Sequence, residues 1–166
     1  CQAVDLLNRR GIQAHATITM SPEEFTDTRG SALDDKILLD AQKRGIVTLG
    51  PHKYANLPQL YRDHDVFVFP SVSETFGHPM AEAMSTGLPV VASDTPVNLE
   101  ICGEAAFYFK PFSAQGLADR IEELNNSEAL RNRLSAEGRH RAVSRYSWED
   151  HVDRLVDTFE AVASGR

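Results

Sequence analysis

Four consecutive large apolar residues, Val66-Phe67-Val68-Phe69, stand between Asp65 and Pro70-Ser71 with no polar residue among them. A run that is β-branched and aromatic and closed by proline reads as a strand covered on both faces, the pattern of a parallel sheet held between helical layers. The surrounding chain repeats the theme. Ala32 to Arg44 carries Leu33, Ile37, Leu38 and Ala41 at helical spacing, stops at Gly45, and is followed by the strand Ile46 to Leu49. A short helix near Leu57 to Arg62 leads into the 66–69 run; Pro79 to Gly87 is a compact helix with proline in its first turn, and Pro89 to Ala92 follows as a strand. A helical turn near Asn98 to Ile101 precedes the last strand, Ala105 to Phe109, and from Ser113 onward the periodicity is helical, over Leu117 to Leu124, Ser127 to Val143 and Trp148 to Val162. Ser127 and Ser147 stand where the last two helices need N-caps. This order predicts an α/β fold: a Rossmann-like open parallel sheet with helices on both faces and a helical C-terminal tail, whose ligand edge is formed by the carboxyl ends of the strands.

The start of the chain departs from this order. Ala3, Val4, Leu6 and Leu7 ahead of Gly11 read as a helix, and the strand-like run His15 to Met20 comes only after it. An α/β unit ordinarily opens on a strand, so the expectation is a domain over 1–166 whose first strand lies upstream of Cys1. Ser21 to Ser31 mixes turn formers with charge and reads as a loop. With 166 residues and 42% apolar content the chain has the material for one core. A formal charge of -7 gives no general attraction for nucleic acid or an anionic bilayer. Cys1 and Cys102 form no CxxC pair, so no disulfide framework and no metal site is signalled, and a reduced, cytoplasmic setting is expected.

The stretch from Pro70 to Asp94 carries the chemistry. By the fold rule the turn after the 66–69 strand faces the ligand crevice. Gly77 permits close backbone approach there, and the helix starting near Pro79 offers unpaired N–H groups and a positive dipole end suited to a phosphate or a sugar oxygen. Glu74 lies in the loop before that helix and Glu82 about one turn inside it. Two acids beside an anion-binding helix end repel phosphate but suit hydroxyls, so they fit a ribose and a hexose while backbone amides take the phosphate. The same residues also allow a plain reading, with Glu82 favouring its own helix dipole and Glu74 a solvated loop residue.

This stretch resembles the donor-site signature of the retaining glycosyltransferase family with the GT-B fold, which includes glycogen and sucrose synthases and bacterial mannosyl- and glucosyltransferases. The matching residues are Pro70-Ser71, Glu74, Phe76-Gly77, Glu82-Ala83-Met84, Gly87-Leu88-Pro89-Val90-Val91 and Ala92-Ser93, with seven residues between the two glutamates. Leu49-Gly50, the helix Leu57 to Arg62 and Tyr146-Ser147-Trp148 extend the likeness over most of Ile46 to Val162. The resemblance implies that Glu74 engages the transferred sugar as the catalytic-site acid, that Phe76, Gly77 and His78 form the turn meeting sugar and diphosphate, and that Glu82 holds the ribose hydroxyls. It places the wall beside the base at Gly50 to Lys53, with His52 and Lys53 as donor-binding candidates. Thr75 stands where the family usually has glycine and His78 where it often has leucine or valine, and Ser21-Pro22 replaces a usual glycine-rich turn. The family's first strand, Gly-Arg turn and diphosphate-neutralising lysine are expected upstream of Cys1.

The implied reaction is transfer of a hexosyl unit from a nucleoside diphosphate sugar, such as a UDP- or GDP-sugar, to an acceptor hydroxyl with retention, in polysaccharide or glycoconjugate biosynthesis. No metal and no cofactor beyond the donor is implied. The partners implied are the nucleotide sugar, an N-terminal acceptor domain of the same polypeptide and a carbohydrate or lipid-linked acceptor, which would place the parent protein in the cytoplasm or at the inner face of a membrane. This chain alone is expected to be inactive in transfer and to bind donor weakly. A noncatalytic nucleotide-sugar module, or an epimerase or phosphorylase on a related fold, shares these features. A dinucleotide-dependent dehydrogenase does not, since no GxGxxG follows a strand. Tyr146 and Trp148 are expected to anchor the last helix against the domain.

Overall fold

A computed structural model of the chain describes residues 1–21 and 32–165. Along it run α1 (Gln2–Arg9), β1 (Ala16–Ile18), α2 (Ala32–Lys43), β2 (Val47–Leu49), α3 (Leu57–Arg62), β3 (Phe67–Phe69), α4 (His78–Ser85), β4 (Val90–Ser93), α5 (Pro96–Cys102), β5 (Ala106–Phe109), α6 (Ala114–Asn126), α7 (Glu128–Arg145) and α8 (Trp148–Ala163). The predicted alternation of strand and helix is what forms. The loop expected over Ser21 to Ser31 lies, apart from Ser21, outside the described residues.

The strands are parallel and fall into two pieces. In one, β1 pairs with β2, Ala16 opposite Val47 and Ile18 opposite Leu49; in the other the order is β3-β4-β5, with Phe67 opposite Val90 and Val90 opposite Ala106. The strand buried on both faces is β4 rather than β3. Val90 and Ala92 pack into one cluster with Met80, Ala83 and Met84 of α4, whereas Val91 points the other way, toward Leu124 of α6 and Leu134 of α7. All four residues of β4 are fully buried. Expectation is corrected for β3, whose three residues are each only half-buried. Among the described residues it has a paired neighbour on one side alone, so its apolar run lies at an edge. The two pieces are tied by His64, whose Nδ1 donates to Leu60 O (2.7 Å) and whose Nε2 accepts from Thr17 Oγ1 of β1 (2.9 Å).

The helices are placed by a few cross-links. Arg10, just past α1, reaches Asp119 Oδ1 at 2.8 Å and Glu122 Oε2 at 2.5 Å on α6, and this pairing holds the Asp119 carboxyl below its ordinary range. Arg141 of α7 donates to Ile101 O and Glu100 O, each at 2.7 Å, covering carbonyls left open at the end of α5. Ser127 and Ser147 cap α7 and α8 as expected, accepting from Leu130 N (3.2 Å) and Asp150 N (3.4 Å). Cys102 is buried, and burial pushes its thiol up to about 12, which keeps it unreactive at neutral pH.

One anchoring expectation is overturned. No residue of α8 is buried, and Trp148 is 72% exposed, its ring meeting His151 edge-on at 5.5 Å. The apolar stripe of the helix, Val152, Val156 and Phe159 among it, is exposed. Trp148→Ala is therefore expected to change unfolding stability by no more than about 0.5 kcal/mol, readable from a urea titration.

Candidate functional site

The signature turn is built where β3 ends. Ser71 follows the strand, and its carbonyl receives the Ser93 hydroxyl and Asn98 Nδ2 (3.4 Å); Asn98 Nδ2 also reaches Ser93 O at 2.8 Å and Ser93 Oγ at 2.9 Å. Ser93 and Asn98 are both completely buried. Two strand ends and the start of α5 are thus pinned to one another beneath the loop that carries Glu74. Asn98 had no specific role in the sequence; its one signal was an amide inside an apolar stretch.

Gly77 is the N-cap of α4, with φ 75° and ψ 55°, the left-handed region that favours glycine. A Cβ there would meet Met80 Cε at 2.6 Å and the Phe69 ring at 3.3 Å, so the turn is folded tightly onto the end of β3. Glycine is thus required by backbone conformation and packing, independently of any ligand. Phe76 is held between His78 (ring centroids 4.8 Å apart) and Tyr146 (5.3 Å, interplanar angle 88°), and Tyr146 Oη donates to Ile101 O at 2.8 Å. Tyr146 therefore does anchor, but what it steadies is the signature turn.

The backbone N–H groups from Val72 to His78 meet no acceptor among the described residues, and the last four of them, those of Thr75, Phe76, Gly77 and His78, lead into α4. They precede or open an eight-residue helix whose second residue is Pro79, itself without an N–H. Unpaired amides at a helix start attract oxyanions, because the dipole adds partial positive charge to directed donors.

The two acids lie differently. Glu74 is exposed on the loop, with no cation of the described residues against it. Glu82 is half-buried at the fifth position of α4, and its Oε2 accepts from the Tyr61 hydroxyl of α3 at 3.0 Å. Tyr61 was not singled out from sequence, since the contact spans 21 residues and nothing in local spacing signals it. Gly50 closes β2, donating its N–H to Ile18 O at 3.2 Å, and His52 and Lys53 are exposed just after it. His78 is exposed as well.

A cleft of about 750 Å³ opens beside the turn, between α5 and the α7–α8 corner, lined by residues including Thr75, Phe76, Val97, Arg145, Tyr146 and Asp153. Thr75 and Phe76 of the signature turn thus line it, whereas Glu74 and Glu82 do not.

Comparison with known proteins places this geometry. The family model for glycosyl transferases group 1 matches residues 31–141, well over half of the chain. The chain is 30% identical over 132 residues to the O-antigen chain mannosyltransferase B of Escherichia coli, a match covering 76% of this chain and 34% of that protein. Against curated relatives of this kind it spans little more than a third of their length. Among solved structures, a sucrose-phosphate synthase from Thermosynechococcus elongatus superposes with a TM-score of 0.80 at 22% identity, covering 99% of this chain and 42% of that one. Anabaena Alr3699/HepE, crystallised in complex with UDP-glucose, superposes with a TM-score of 0.70 at 18% identity, covering 96% of this chain and 52% of that one. The open parallel sheets flanked by helices are those of the C-terminal half of a GT-B fold, and the chain belongs to the group 1 glycosyl transferase family.

Proposed function

We propose that this chain is the donor-binding part of a retaining hexosyltransferase, and that it holds a nucleoside diphosphate sugar at the turn between β3 and α4. The observation that carries this is the row of four acceptor-free amides from Thr75 to His78 at the start of α4. When the sugar leaves, negative charge grows on the diphosphate. Amides already aimed at that position stabilise it without reorganising at the moment of reaction. Glu74, exposed ahead of those amides, accepts from hydroxyls of the transferred hexose, and Glu82 accepts from the ribose. Neither acid is required to be a nucleophile, because an orienting site gains rate through position and electrostatics. His52 and Lys53 after β2 form the wall beside the base.

The acceptor is held by a further domain of the same polypeptide, and transfer needs both. The unpaired edges of β1 and β3 are where an additional parallel strand completes the sheet. The reading is supported by family membership and by a UDP-glucose complex in a protein of the same fold.

NMR titration of the chain with a panel of nucleoside diphosphate sugars tests it. Weak, saturable binding is expected, with shifts centred on Thr75 to Glu82. In Glu82→Ala the affinity is expected to fall about tenfold or more, as the loss of hydrogen bonds to a charged group implies, while stability changes by about 1 kcal/mol, the worth of the Tyr61 bond. Equal affinity in the two proteins would sink the ribose assignment, and failure of every member of the panel to bind at millimolar concentration would sink the donor site.

A further inference from the structure

The carboxylate assigned to the ribose is not free to rotate. Glu82 Oε2 accepts from Tyr61 Oη at 3.0 Å, and no side chain among the described residues donates to Oε1. Tyr61 is itself immobilised. Its ring meets Phe67 edge-on, with centroids 5.6 Å apart at 80°, and packs against the cluster that contains Met80 and Met84. The end of α3 that carries it is fixed to β1 through His64, which bonds Leu60 O at 2.7 Å and Thr17 Oγ1 at 2.9 Å. Burial, then the hydrogen bond to Glu82, push the phenol far above its ordinary pKa, so it stays a proton donor wherever the carboxylate is charged.

We propose that Tyr61 is a positioning residue for nucleotide binding: its hydroxyl takes one oxygen of Glu82 and thereby aims the other at the ribose diol of a nucleoside diphosphate. The inference rests on the donor-site reading given above. A glutamate on a helix has three side-chain torsions to order when it meets a ligand, and fixing it beforehand removes that entropy from the binding step. A phenol suits this task because it donates without adding charge. A lysine or arginine in its place would neutralise the carboxylate and compete for both oxygens. The ring also has only two torsions to fix, and it is packed against Phe67 and the buried cluster of Met80 and Met84.

The test uses the whole 166-residue chain. Whichever of UDP, GDP and ADP binds most tightly is compared with its 2′,3′-dideoxy counterpart, by NMR titration, in the unmodified protein, Tyr61→Phe, Glu82→Ala and the double variant. Tyr61→Phe keeps the ring and its contact with Phe67, so a nearly unchanged thermal midpoint serves as the check on folding. The expected result is a loss of about three- to tenfold in affinity for the ribonucleotide, the worth of one hydrogen bond, with no change for the dideoxy compound and no further loss when Tyr61→Phe is added to Glu82→Ala. If Glu82→Ala weakens ribonucleotide binding but Tyr61→Phe does not, the positioning role fails and the ribose reading stands. If Tyr61→Phe weakens both nucleotides alike, Tyr61 acts through packing and the proposal fails. If Glu82→Ala leaves the ribonucleotide affinity unchanged, or none of the three nucleotides binds at millimolar concentration, the ribose reading and the proposal fall together.

Discussion

Gly77→Ala is expected to lower the stability of the domain by about 2–5 kcal/mol, seen as an earlier urea midpoint at unchanged slope. Two effects add. The residue sits at φ 75°, ψ 55°, where a side chain costs roughly 1–2 kcal/mol against the following carbonyl. The new Cβ also arrives 2.6 Å from Met80 Cε and 3.3 Å from the Phe69 ring. A methionine methyl is the far end of a flexible chain and gives way easily on a surface, but Met80 is completely buried and must swing into filled space. Overpacking of that kind costs about 1–3 kcal/mol. The two parts separate in a Met80→Ala background, where the clash is relieved and the backbone strain remains. A Gly77→Ala loss below about 0.5 kcal/mol would mean that the turn is not left-handed at all. Because the peptide planes on either side of Gly77 carry two of the four acceptor-free amides, the same substitution is expected to weaken nucleotide binding beyond what the change in stability accounts for.

What the sequence revealed of this fold was whatever is encoded locally. Proline and glycine punctuate α4, Ser127 and Ser147 cap their helices, and the alternation of apolar runs with helical periodicity fixes an α/β order. Burial is a different kind of property. Val66 to Phe69 and Pro89 to Ala92 are both uninterrupted apolar runs, and periodicity ranks neither above the other. Only pairing decides, and among the described residues β4 has neighbours on both sides where β3 has one. Trp148 misled for the same reason: an aromatic residue at the start of an amphipathic helix looks like an anchor, whether or not anything lies beneath it. Around the candidate site, the strand-to-helix turn, with Glu74 ahead of α4 and Glu82 inside it, was legible locally. The contacts that hold them come from residues far away in the chain, 21 positions for Tyr61 and Glu82 and 27 for Ser71 and Asn98. No spacing rule spans such distances, and a tyrosine on a short helix or an amide after a proline has many ordinary uses.

Asn98 is where the largest single effect is expected. Asn98→Asp changes neither volume nor shape, so it leaves no cavity and no clash, yet at neutral pH it is expected to destabilise the domain by about 3–5 kcal/mol, the range seen when a buried charge has no partner. The amide nitrogen of Asn98 donates to Ser93 O and Ser71 O, both carbonyl oxygens with no proton to return, and to Ser93 Oγ, whose own proton is given to Ser71 O. A carboxylate would put negative charge against them at a position with no solvent exposure and with no cation of the described residues bonded to it. A neutral carboxylic acid, by contrast, still donates one hydrogen bond. The folded protein would therefore hold the proton more tightly than the unfolded chain does, raising the pKa of the new group in the folded state. The sign follows from linkage: a group whose pKa is raised on folding keeps its full contribution below the unfolded value, about 3.9 for aspartate, and loses it steadily as pH rises toward the folded value. The variant should thus approach the parent protein's stability near pH 4 and fall away from it by pH 7. Asn98→Ala separates charge from hydrogen bonding. It abandons the same acceptors and opens a small cavity, for a loss of about 2–3 kcal/mol that does not vary with pH over this range. Urea titrations of the three proteins at pH 4.5, 6 and 7.5 give the comparison. If the gap between Asn98→Asp and the parent stays constant across them, Asn98 is not sealed from water, and the network joining β3, β4 and α5 beneath the signature turn is not what sets its shape.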